Sequence, residues 1–151
     1  MRMSIVSVGM TMNSLLMVGA VLSAIAAFLH IAIVVFGAPW YRFFGAGEKM
    51  ATLAEQGSWV PALITLAIAS LLFISSAYAL SGAGFLRTQP LLKPALVVIT
   101  SVYLLRGIAG FWLVVYPSTE HTIAFVFWSS LICLGFGLVH LVGLKQIWSS
   151  L

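Results

Sequence analysis

The chain has 151 residues, of which 62% are hydrophobic and only 7% charged, with a formal net charge of +4 and a mean hydropathy of +1.16. A water-soluble domain carries about 25% charged residues, so this composition excludes a soluble globular fold. It also makes the positive charge a matter of membrane topology rather than nucleic-acid binding. The apolar residues come in long unbroken runs rather than short alternating strands, which predicts an all-α integral membrane protein with a single domain, 1–151.

Four spans are predicted, at 13–36, 59–80, 95–116 and 122–144, each long enough to cross a hydrocarbon core of about 30 Å. They make a four-transmembrane-helix antiparallel bundle. In the first span Ala24, Ile25 and Ala26 resemble a signal-peptide cleavage site. The apolar run continues past them through Phe28, His30 and Phe36, so a retained span is expected. Gly19, Ser23 and Ala27 recur every fourth residue and form a small-residue ridge suited to close helix packing.

The first loop, 37–58, is unusually long for a compact protein. Within it 48–56 reads as a short amphipathic helix. Glu48 favours its N-terminal dipole, Gly57 stands at C′, and Met50, Leu53 and Ala54 form its apolar side. This helix is expected to lie on or dip into the outer leaflet. The second span opens with Ser58 as N-cap and Pro61 in its first turn. The loop after it, 81–90, is a glycine-rich basic turn. The third span is bounded by Pro94 and Pro117, and the tight connection 117–121 makes spans three and four a helical hairpin. Ser129, Cys133 and Gly137 form a second small-residue ridge on the fourth span.

Arg106 lies near the middle of the third span. A charge at that depth costs about 2.5–3.5 kcal/mol on insertion scales, so it faces protein or water and has a partner. Tyr103 and Gly110 flank it on the same helical face. Glu48 is the first-choice partner, provided the segment around Gly45 and Gly47 folds back into the bundle mouth. His30, about two turns below the outer end of the first span, is the next, and Tyr41 and Trp59 are expected to line the opening. The candidate polar cluster is therefore Arg106, Glu48, His30, Tyr103, Tyr41 and Trp59.

Other chemistry is disfavoured. One cysteine, Cys133, forms no internal disulfide. His140 lies toward the opposite end from His30, which argues against a two-histidine metal centre, and His121 is expected to be solvated, as is Glu120. The Met1/Met3 and Met10/Met12 pairs offer thioethers suited to Cu(I), but read more simply as an N-terminal segment. No nucleophile–base pair, paired carboxylates or metal-ligand cluster is evident, so neither an enzyme nor a cofactor is expected.

Arg2, Arg87, Lys93 and Lys145 fall on one side of the predicted topology, and Arg42 and Lys49 on the other. Four against two places both termini in the cytoplasm. Trp40, Tyr41, Trp59, Trp112 and Tyr116 gather at the proposed outer interface.

His30, the run Gly37-Ala-Pro-Trp-Tyr-Arg-Phe-Phe-Gly-Ala-Gly-Glu48, then Tyr78-Ala-Leu-Ser-Gly-Ala-Gly84 and Tyr103-Leu-Leu-Arg-Gly107 together resemble a set of small four-span bacterial membrane proteins. More distantly, the layout is similar to the DoxX-like group: a span, an amphipathic connection, then three spans. The resemblance implies the bacterial inner membrane and implies no activity. The functional expectation is a protein binding or moving a small amphiphile or anionic lipid headgroup in an outward-facing polar pocket. The alternative is an accessory or assembly subunit whose buried polar residues are structural. Partners expected are the lipid bilayer and such an amphiphile, with a second copy or another membrane protein as further partners, and no nucleic acid.

Overall fold

A computed structural model describes residues 12–116 and 122–151. Its helices are α1 (Ser14–Phe36), α2 (Ala38–Phe43), α3 (Glu48–Glu55), α4 (Val60–Gly82), α5 (Leu92–Val115) and α6 (Ile123–Ile147). No strand occurs among the described residues. The four long helices are each long and apolar enough to cross a membrane, and the protein is a multi-pass helical bundle. Most of their large apolar side chains point outward, including Val18, Phe28, Leu71, Val98 and Ile132. This is the pattern of a bundle whose outer surface faces lipid. Glu120, His121, Met1, Met3 and Met10 fall outside the described residues.

Helices α1 and α4 form one tightly packed pair and α5 and α6 the other, joined chiefly through α1 and α6. Small residues set the close approaches. A Cβ on Gly107 would stand 2.8 Å from the backbone nitrogen of Leu134, and one on Gly137 would stand 2.7 Å from the side chain of Leu104. Gly19, Ser23 and Ala27 are all buried, so the predicted ridge on the first span is a contact within the bundle. Ser76 donates from α4 to the Ala20 carbonyl at 2.8 Å.

One end of the bundle is tied by Asn13. Its side-chain oxygen caps α1 by accepting from the Leu16 amide at 2.8 Å. Its amide group donates to the Gly143 carbonyl at 3.2 Å and to Gln146 at 2.9 Å. Its backbone N–H reaches the Ala83 carbonyl at 3.2 Å. Leu16, Ala83, Leu92, Leu96 and Leu144 pack beside it into an apolar cluster.

The first loop closes the other end. It contains the predicted short helix as α3, with Gly57 at φ 74° after its C-cap, and a further short helix, α2, that begins with Pro39 in its first turn. Periodicity did not reveal α2, because six residues hold less than two helical turns. Ile33, Ala38, Tyr41 and Ala51 form the apolar cluster joining this loop to α1. Pro94 does not bound α5 but sits inside its first turn, where a missing N–H costs little.

Candidate functional site

Beneath α2 and α3 lies a cavity of about 560 Å³, within the size range of small-molecule sites. Its roof is Tyr41, Phe44, Ala46, Gly47, Lys49, Met50 and Leu53. Its walls come from His30 and Ile33 on α1, from Val60, Ile64, Thr65 and Ile68 on α4, and from Phe125 on α6. Arg106 enters from α5. The lining is predominantly apolar. Its charged members among the described residues are Arg106 and Lys49, and no carboxylate-bearing residue among them contributes to it.

The roof is held by specific contacts. The Tyr41 hydroxyl, on a residue only 2% exposed, shares a 3.1 Å hydrogen bond with the Thr65 hydroxyl of α4. Gly45, at φ 69°, lies where a Cβ would stand 2.7 Å from that of Phe125 and 3.0 Å from the Thr122 hydroxyl. Only glycine meets both the left-handed backbone and that close approach to α6.

Arg106 sits about 14 Å inside the α5 end at Val115, at 1.5 Å per residue. Its Nη2 donates to Ser129 Oγ at 3.2 Å and its Nη1 reaches Ser130 Oγ at 3.5 Å, a long contact. Both serine hydroxyls donate onward to the Val126 carbonyl, at 3.2 and 2.6 Å. Their protons are thereby committed, and toward Arg106 they serve as acceptors. Gly110, one turn along α5, makes the arrangement fit. A Cβ there would run into Ser130 Oγ and stand 2.6 Å from Arg106 Nη1. The Nε–H and the second hydrogen on each Nη have no partner among the described residues. Hydroxyls thus orient the guanidinium without neutralising it.

Glu48 is not the counter-ion of Arg106. It pairs with Arg42 at 2.6 Å, and Arg42 also holds Glu55. The Arg42 guanidinium keeps both carboxyls below their ordinary range, and they in turn raise the guanidinium's own pKa. Helix geometry explains the correction. Glu48 and Glu55 are seven residues apart, two turns of α3, and so share the face that meets Arg42 on α2. That face lies opposite the apolar side over the cavity.

Two other members of the predicted cluster are also elsewhere. Tyr103 turns into the bundle, where its hydroxyl shares a 2.9 Å hydrogen bond with Ser23 and its ring packs on Phe136 and His140. Trp59 is 78% exposed and is not part of the cavity wall. His30 and Tyr41 do share the cavity with Arg106. The His30 Nδ1–H donates to the Ala26 carbonyl at 2.7 Å, leaving Nε2 as the ring's remaining polar atom. His140 is fully buried, with Gly19 against its ring and Nδ1 bonded to the Phe136 carbonyl at 2.8 Å.

Sequence reasoning missed Ser129 and Ser130 as partners of Arg106. The spacing assigns Ser129 only to a packing ridge. The available signal was their position: each lies in the first third of the last span, at the depth that an antiparallel hairpin brings opposite the residues after Arg106. No group of three or more His, Cys, Asp or Glu suited to holding a metal ion occurs among the described residues. No protein-family model, curated protein or solved structure matches the chain.

Proposed function

We propose that this protein binds an anionic amphiphile in the cavity beneath α2 and α3, with Arg106 as the anion contact. The observation that carries the reading is the state of Arg106. It is an intramembrane guanidinium lining an apolar cavity, oriented by two hydroxyls and facing no carboxylate among the described residues. Were it only a clamp between helices, an acidic partner would be the economical solution. All acids of the described residues are instead committed to Arg42. Lys49 adds positive potential in the roof and His30 a polar contact on the wall.

The reading places the protein in a bacterial inner membrane, with both termini cytoplasmic and the cavity toward the outside. Four basic residues at the termini and second loop, against two in the first loop, support that orientation. The distant likeness to the DoxX-like layout is compatible with it and adds no activity.

The test is native mass spectrometry of the purified protein with oleate and with oleyl alcohol, which differ only in the charged head. The protein retains oleate preferentially, and Arg106→Gln abolishes the preference while leaving the helical circular-dichroism spectrum intact. Equal retention of the two compounds by the unaltered protein contradicts the proposal. Unfolding of both Arg106→Gln and Arg106→Lys would favour the reading in which the buried polar residues are structural and the protein is an accessory subunit.

A further inference from the structure

The roof of the cavity is fastened on three sides. α2 follows α1 directly at Gly37, Tyr41 is bonded to Thr65 on α4, and Gly45 abuts Phe125 and Thr122 at the start of α6. Toward α5 there is no such fastening among the described residues. Among the described residues neither α2 nor α3 packs against α5, and α4 and α5 meet far more sparsely than the two tight helix pairs do. The cavity's weakly closed side is thus the slot between α4 and α5.

The residues along that slot have a consistent character. Val60, Ile64 and Ile68 recur every fourth residue, so they form one stripe along α4. All three line the cavity, yet they are 49%, 47% and 41% exposed. Ile68 lies about 12 Å along α4 from Val60, close to the depth of Arg106, which is itself exposed and lines the same cavity. One end of the stripe therefore lies near a guanidinium with free donors, and the other runs up under the apolar roof residues Phe44, Met50 and Leu53.

We propose that the cavity opens sideways into the bilayer between α4 and α5 and takes its ligand from the lipid phase: a single-chain amphiphile with a carboxylate head. This rests on the anion-binding reading above and adds the route and the ligand class. The carboxylate pairs with the unclaimed N–H groups of Arg106, a planar bidentate match. The chain lies along Val60, Ile64 and Ile68, beneath the roof. At ~30 Å³ per heavy atom, taking the liquid volume of water as the guide, 560 Å³ holds on the order of twenty heavy atoms. That accommodates one acyl chain with its head. The serines contribute no donors to the anion, because their protons are held by the Val126 carbonyl.

The experiment uses the full-length protein in lipid nanodiscs with a fatty acid carrying a diazirine at mid-chain. After irradiation, labelled residues are mapped by peptide mass spectrometry. Label is expected on Val60 and Ile64, with labelling reduced roughly tenfold or more in Arg106→Gln, as loss of a charge-assisted pair implies. Excess inorganic phosphate should leave it unchanged. Ile68→Trp, which narrows the slot without touching Arg106, should reduce labelling in a protein of unchanged helicity. Arg106-dependent label confined to Met50 and Leu53 would overturn the lateral route while sparing the anion-binding reading. Label on α4 that is indifferent to Arg106→Gln would overturn the anion-binding reading. Displacement by phosphate alone would show a small-anion site and overturn the ligand class.

Discussion

Arg106 is oriented through acceptors that are themselves oriented, and the arrangement depends on a missing methyl group. Gly110→Ala would push a Cβ into Ser130 Oγ. Either the serine abandons the Val126 carbonyl or α5 and α6 separate. We expect a stability loss of about 1–3 kcal/mol, typical of overpacking, together with weakened oleate retention, readable in one denaturation and binding series. Ser130→Ala has a milder consequence. The guanidinium loses an acceptor that is only 3.5 Å away, so affinity should change little, whereas Ser129→Ala removes the shorter contact and should weaken retention more. Asn13 is a residue of a different kind, structural rather than functional. Asn13→Ala removes the α1 cap and the amide bonds to Gly143 and Gln146. It should cost about 1–3 kcal/mol in thermal or denaturant unfolding without altering ligand preference.

At the scale of elements, the α2–α3 segment is a roof stapled on its outer face by one arginine between two glutamates. Both carboxyls are held below their ordinary range by Arg42. A depressed folded-state pKa means the stapling contribution is present above the unfolded carboxylate value of about 4.3. It is lost as pH falls through the lower folded-state value. Hydrogen exchange in α3 should therefore accelerate on acidification below about pH 4, and α1 and α4 should not follow. Because the trio is solvent-exposed, high salt should weaken it as well. This element also marks where sequence reading succeeds and where it stops. α3 was legible from Glu48, the apolar positions Met50, Leu53 and Ala54, and Gly57, because capping and amphipathicity are local signals. The pairing of Glu48 was not, since it depends on α2, which is too short to leave a periodic trace, and on which face of α3 meets it. Electrostatic demand pointed Glu48 at the costliest charge in the chain, whereas proximity gave it to Arg42, six residues away.

For the whole molecule, hydropathy made the four spans and their antiparallel order readable, since lipid leaves so few alternatives for an apolar run. The position of Arg106 on the third span, the closeness of Gly110 and the nearness of His30 and Tyr41 to Arg106 around one cavity were readable too. Tyr103 was not, because two residues on one helical face three positions apart still point to different neighbours, and the neighbour is fixed by tertiary packing. The resulting architecture is two tight helix pairs, knotted at one end by Asn13 and capped at the other by α2 and α3. A cavity with cationic and apolar lining is left under the cap. The central claim is that Arg106 grips an anionic head within this bundle. Its most direct test is a solid-state NMR distance measurement between fatty acid labelled with ¹³C at the carboxylate and protein labelled with ¹⁵N at arginine, reconstituted in bilayers. The account predicts dipolar contact at direct hydrogen-bonding range that disappears in Arg106→Gln. Absence of contact in the unaltered protein, or a contact that survives that substitution, would contradict it.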